Sequence, residues 1–229
     1  MKLAHLRRHQ LAWLGEAGWR RLQEQSWDDE ARACLAHWAG ARLPLVITRQ
    51  SPEKDGDLES ISLGLPAPGR WNRRRLMLRM KRSEVVCFDE FPHADKAARL
   101  LPLSLRSTWR ALCAELEALD SRARVYGSYG WELMSGLDHV RKGSDIDLWL
   151  AVADAAHADA VAAGLQSFSE GLLRIDGELV FRDGSAVAWR EWLLWRRGKA
   201  KSILVKSVEG SALVRSPAWQ EAAQASEAA

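Results

Sequence analysis

The run SDIDLWL, Ser144 to Leu150, constrains this chain more than any other, because it sets two acidic residues, Asp145 and Asp147, one position apart beside apolar neighbours. Side chains of a strand alternate between faces, so positions i and i+2 share one face, roughly 6.5–7 Å apart. Two carboxylates held that way repel. The pair persists only if positive charge sits between them or one of them keeps a proton. A fold containing this strand must therefore also contain a reason for the pair.

A length of 229 residues allows one large domain or two small ones, and a hydrophobic fraction of 47% supplies an ordinary core. Lys and Arg total 33 against 30 Asp and Glu, a net charge of +3, which argues against a general binder of nucleic-acid polymers and leaves local basic clusters as the recruiting surfaces. Cys34, Cys87 and Cys113 are odd in number, far apart and without ligand spacing, so they read as buried thiols. MKLAHLRRHQ contains no apolar leader segment, and no stretch approaches the ~20 apolar residues of a membrane span. A cytoplasmic, reducing location with no membrane partner is the expectation.

Periodicity divides the chain in two. Asp28 to Gly40 has helical spacing, with Ala31, Cys34, Leu35 and Trp38 on one side. PLVITRQ, ISLGLP, RLMLRM and EVVCFDE are short β-branched or alternating runs, read as strands between turn-rich pieces such as SPEKDGD. This predicts a small α+β module with an antiparallel sheet over residues 1–100. A second helix opens at Pro102 and Ser104, with Trp109, Leu112, Cys113, Leu116 and Leu119 as its apolar stripe. A strand over Arg124 to Tyr126, a Gly-Ser turn, a helix from about Tyr129, a strand over Asp145 to Val152 and a helix over Ala155 to Glu170 follow. LLRIDGELVF and AVAWREWLL flank RDGS as a hairpin, SILVKSV is a further strand, and EAAQASEAA is a frayed tail. Residues 101–229 thus form a second α+β domain.

Its chemistry points to nucleotidyl transfer. Glycine at Gly127 lets the backbone approach a phosphate, and the N–H groups opening the next helix, with the Ser128 hydroxyl, favour the anion there. Asp145 and Asp147 can bridge two Mg²⁺ ions, which resolves their repulsion. A third carboxylate comes from Asp176 or Glu178, on one face of RIDGEL; if IDGE is instead a hairpin turn, both leave the site. Arg141, Lys142 and Lys206 are the candidate phosphate-neutralising cations. Tyr129 and Trp131 either line a ligand pocket or pack, and the same choice holds for Trp192 and Trp195. RWNRRRLMLRMKR is either a docking face for an acidic partner or a solvated strand face. His139 and His157 lack metal-ligand spacing.

YGS followed by SDID resembles the nucleotidyltransferase superfamily that includes DNA polymerase beta. The longer RVYGSYGWELMSGLDHVRKGSDIDL, with RIDGELVFRDGSAVAWREW behind it and RHQLAWL and GRWNRRRL ahead, is similar to the malonate decarboxylase holo-acyl-carrier-protein synthases, a phosphoribosyl-dephospho-CoA transferase family. Ser135 and Glu132 depart from the Thr and Gln of that pattern. The resemblance implies a nucleotidyltransferase-like mixed sheet with flanking helices over 101–229, behind the accessory module. It implies transfer of the phosphoribosyl-dephospho-CoA group from 2'-(5''-triphosphoribosyl)-3'-dephospho-CoA to a serine of the apo acyl-carrier subunit of malonate decarboxylase, releasing pyrophosphate. Asp145 and Asp147 match the family's catalytic positions, and Mg²⁺ is the expected cofactor. The same core serves other acceptors, a citrate lyase carrier protein or a small molecule, and a non-enzymatic binding module is the remaining alternative.

Overall fold

The computed structural model describes residues 6–50, 59–169 and 173–217. SPEKDGD, Glu170 and the alanine-rich tail lie outside the described residues. Five short strands, β1 (Leu11–Leu14), β2 (Leu45–Ile47), β3 (Ser60–Pro66), β4 (Arg75–Lys81) and β5 (Val85–Asp89), form an antiparallel sheet in the order β4-β3-β2-β1-β5. β3 and β4 follow the alternation of the sequence. β4 shows it most fully: Leu76, Leu78 and Met80 are buried while Arg75, Met77, Arg79 and Lys81 face outward. Helices α1 (Glu16–Gln23) and α2 (Asp29–Gly40) belong with this sheet. Asp28 starts α2 by accepting a hydrogen bond from the Ala31 N–H at 2.9 Å, and Ala31, Cys34, Leu35 and Trp38 bury its apolar side. Cys87, expected to be buried, is exposed on β5.

The second half builds a mixed six-stranded sheet in the order β11-β10-β9-β8-β7-β6, from β6 (Ala123–Val125), β7 (Ile146–Ala151), β8 (Ile175–Val180), β9 (Ala186–Ala188), β10 (Ile203–Lys206) and β11 (Ser211–Val214). β7 and β8 are parallel, and the other pairings are antiparallel. Helices α3 (Leu103–Ala118), α4 (Gly127–Ser135), α5 (Ala155–Ser169) and α6 (Trp189–Arg196) accompany it. Ile146, Leu148 and Leu150 of β7 share a core with Trp109, Leu112 and Leu116 of α3 and Val161 and Leu165 of α5. The opposite side chains of β7, Asp147, Trp149 and Ala151, are only partly buried. One face of the sheet is therefore a core, and the other is available for chemistry.

Two expectations change. AVAWREWLL is strand only to Ala188, after which α6 begins. Trp189 and Trp192 explain this: three positions apart, they point oppositely in a strand but to one side in a helix, and both are buried in the same core. Tyr129 and Trp131 of α4 are packed residues, at 8% and 4% exposure, rather than pocket walls. They face different cores: Tyr129 joins the second-half cluster, whereas Trp131 enters the first-half cluster, its ring 5.3 Å from Phe91 and 6.2 Å from Trp38. Helix α4 thus locks the phosphate-turn candidate to both halves.

Candidate active site

Parallel pairing of β7 with β8 puts the acidic residues in register. Asp147 stands opposite Asp176 and Trp149 opposite Glu178, all on the face away from the helices. IDGE is strand, so the hairpin alternative for it is removed. Gly177 makes this close pairing possible: its φ is +151°, and a Cβ there would lie 2.2 Å from the Leu148 carbonyl oxygen. Asp145 precedes β7 rather than belonging to it, and its Oδ1 accepts a 2.7 Å bond from Nε of Arg174. Asp176 Oδ1 accepts from the Gly177 N–H at 2.8 Å.

Gly127 closes the site from the other side. The helix that it opens starts two residues earlier than its periodicity suggested, with Tyr126 as the capping residue. Gly127 has φ +60°, and a Cβ on it would fall 1.8 Å from Oδ2 of Asp147. Tyr126 fixes the approach by donating its N–H to the Asp147 carbonyl at 3.0 Å. The Gly-Ser backbone and the Asp147 carboxylate therefore adjoin, and Ser128 is partly buried beside them in the first turn of α4.

Uncompensated negative charge collects here. Burial, followed by the neighbouring charges of Asp176, Asp145 and Glu178, pushes the Asp147 carboxyl up to about 7. Glu178 behaves oppositely. Its own burial disfavours the charged form, but hydrogen bonding and charge from His9, then Arg8 and Lys206, outweigh that and hold it well below the usual carboxylate range. Those partners lie close: Arg8 at 3.0 Å, His9 Nε2 at 3.0 Å and Lys206 Nζ at 2.9 Å. Burial first, then Glu178, Asp147 and Asp176, also raise the Tyr126 phenol, which marks the convergence of the three acids.

Among the described residues, no group of three His, Cys, Asp or Glu side chains is disposed to hold a metal ion as it stands. The donor chemistry nevertheless suits Mg²⁺. Asp145, Asp147 and Asp176 offer hard oxygens, and Asp147 is repelled by its acidic neighbours in the way a divalent cation would relieve. Arg174 occupies Asp145 meanwhile.

The candidate cations divide. Arg141 and Lys142 are exposed on the turn leading into Asp145, a turn held by Ser144 Oγ accepting from the Arg141 N–H at 2.9 Å. Lys206 is committed to Glu178. Trp192 is wholly buried, so it stacks on no ligand. Glu132 accepts N–H bonds from His139 and Val140 at 3.0 and 2.7 Å, an acceptor role that a glutamine side-chain oxygen can equally fill. Arg8, His9 and Arg174 were not foreseen from the sequence. The first two lie about 170 positions from Glu178, and only Arg174 carried a local signal, standing two residues ahead of Asp176, just before β8.

Comparison with known proteins follows the same order along the chain. Residues 7–91 match the model described as the phosphoribosyl-dephospho-CoA transferase MdcG N-terminal domain, and residues 90–217 match its C-terminal counterpart. A phosphoribosyl-dephospho-CoA transferase of Bradyrhizobium diazoefficiens is 33% identical over 207 residues, covering 88% of this chain and 87% of the relative. One from Xanthomonas euvesicatoria is 31% identical over 201 residues, 87% of this chain and 90% of the relative. Another from Pseudomonas fluorescens is 29% identical over 182 residues, 79% and 82% of the two chains. No solved structure matches.

Proposed function

Because this chain belongs to the phosphoribosyl-dephospho-CoA transferase MdcG family, we propose how its own residues carry out that transfer. The protein is a phosphoribosyl-dephospho-CoA transferase, the holo-acyl-carrier-protein synthase of malonate decarboxylase. Its donor is 2'-(5''-triphosphoribosyl)-3'-dephospho-CoA, and its acceptor is a serine of the apo acyl-carrier subunit. The serine oxygen bonds to the α-phosphorus, the α–β phosphoanhydride breaks, and pyrophosphate leaves.

The observation that carries this reading is the opposition of Asp147 and Asp176 on paired strands, with Gly127 backbone against Asp147. Gly127 and Ser128 bind the triphosphate through backbone N–H groups and a hydroxyl at the start of α4. Arg141 and Lys142, exposed beside the site, balance the pyrophosphate charge. Asp145, Asp147 and Asp176 are the residues that would hold Mg²⁺, which when bound neutralises the polyphosphate and favours the deprotonated serine. Asp145, bonded to Arg174 here, would serve in that set with the guanidinium moved aside. Glu178, already held by Arg8, His9 and Lys206, is assigned to fixing the N-terminal segment over the sheet rather than to completing that set.

Intact-mass spectrometry tests the proposal. Apo acyl-carrier subunit incubated with the protein, the triphosphoribosyl donor and Mg²⁺ gains the mass of one phosphoribosyl-dephospho-CoA group. No gain with this acceptor, together with modification of a citrate lyase carrier protein or a small molecule, would move the activity to another acceptor.

A further inference from the structure

On the carboxylate face, beyond Trp149, lies a cavity of about 540 Å³ lined by three arginines: Arg7 from the N-terminal segment, Arg122 from ahead of β6 and Arg182 from the turn after β8. Its volume falls in the range of small-molecule sites, roughly 300–1,000 Å³. We infer that this cavity holds the dephospho-CoA half of the donor, with Arg122 and Arg182 on its 5'-diphosphate. The inference rests on the donor proposed above.

Topology sets the cavity on the same sheet face as the carboxylates, on the far side of the N-terminal segment that Arg8 and His9 tie to Glu178. Asp147, Trp149 and Ala151 alternate along one face of β7, and Asp176, Glu178 and Val180 do so along β8, while Arg182 reaches the cavity from the turn after β8. Arg122 joins that face because Arg124, two residues on, pairs opposite Trp149. Ala151 lies four residues beyond Asp147, about 13 Å along the strand. In the donor, two ribose rings separate the reacting α-phosphate from the 5'-diphosphate, a spacing of the same order. With the triphosphate on Gly127 and Ser128, the diphosphate falls where the guanidinium groups gather.

Charge supports an anion there. None of Arg7, Arg122 and Arg182 has an ion pair among the described residues, whereas Glu90, which also lines the cavity, is matched by Arg124 at 2.5 Å. Asp120 is the other acid in the wall, so the three guanidinium groups are not cancelled. Arginine's planar fork suits paired phosphate oxygens. Trp149, partly exposed between the carboxylates and the cavity, offers an apolar surface to the sugar and base.

Isothermal titration with 3'-dephospho-CoA, which lacks the triphosphoribosyl group, tests this cavity apart from the chemistry. The wild-type protein should bind it, and ADP should compete where adenosine does not. Arg122→Gln and Arg182→Gln, both exposed side chains, should each weaken binding about tenfold without altering the circular dichroism spectrum. Asp147→Asn should not weaken it. Absence of wild-type binding, or unchanged affinity in both arginine variants, overturns the assignment. If carrier labelling proceeds while those affinities are unchanged, the cavity alone is refuted. If no acceptor is labelled while binding still depends on the arginines, the proposed reaction fails and the cavity stands.

Discussion

The Cα of Gly127 faces the carboxylate of Asp147 so closely that an added methyl group would sit 1.8 Å from Oδ2. A left-handed turn and a catalytic candidate therefore share one small volume. Gly127→Ala must move one or the other. Strain at a positive φ costs roughly 1–2 kcal/mol, and displacement of Asp147 adds to it. Carrier labelling should fall at least about a hundredfold, more than an alanine elsewhere in α4 would cause. Wild-type labelling rates in this variant would show that the turn is not part of the machinery.

Asp147→Asn separates chemistry from folding. A partly buried carboxylate beside three acids destabilises the folded chain when charged, so its neutral counterpart should melt no lower than the wild type. Labelling should drop by about a thousandfold or more. A variant that melts lower and still labels the carrier would reverse both halves of the interpretation.

Asp176 and Glu178 should part company under substitution. Asp176 is exposed and, among the described residues, its carboxylate bonds to its own neighbour's N–H alone, so Asp176→Asn should lose activity while keeping stability. Glu178→Gln removes the charge that matches Arg8, His9 and Lys206 in a buried setting, and breaking such a group costs about 3 kcal/mol. Urea denaturation of both variants, alongside labelling rates, distinguishes them. Equal stability loss in the two would leave the third carboxylate unassigned.

His139 gives a pH signature unrelated to catalysis. Burial, reinforced by the nearby Arg73, lowers its pKa to about 4, so the folded chain holds it neutral while the unfolded chain protonates it below about 6.5. The unfolded state then binds more protons between these values, and stability is complete above pH 6.5 and declines as pH falls toward 4. The loss is on the order of 3 kcal/mol at most. His139→Phe keeps the contact with Trp38 and Trp131 and should flatten this part of the profile in urea titrations at pH 7.5 and 5. An unchanged slope would place the pH dependence elsewhere.

Much of the scaffold was legible because it is written in local periods. Ile146, Leu148 and Leu150 announce a one-sided strand, and Ala31, Cys34, Leu35 and Trp38 announce α2. β1 escaped notice because LAWL is apolar without alternation, although it lies between β2 and β5. α1 carries only Trp19 and Leu22 as buried large residues, too short a stripe to stand out. The strand character of IDGE was ambiguous because Asp-Gly favours turns; its pairing with Leu148 settled it.

The sequence by itself determined the spacing of Asp145 and Asp147, the glycine ahead of them and the alternation that assigns each side chain to a face, since these depend on dihedral periods within a few residues. Tertiary structure alone decided that Asp176 stands opposite Asp147, that Arg8, His9 and Lys206 neutralise Glu178, and that Arg7, Arg122 and Arg182 share a cavity. Those relationships join positions as much as 170 residues apart. They arise from which apolar faces pack together, and no local period encodes that choice.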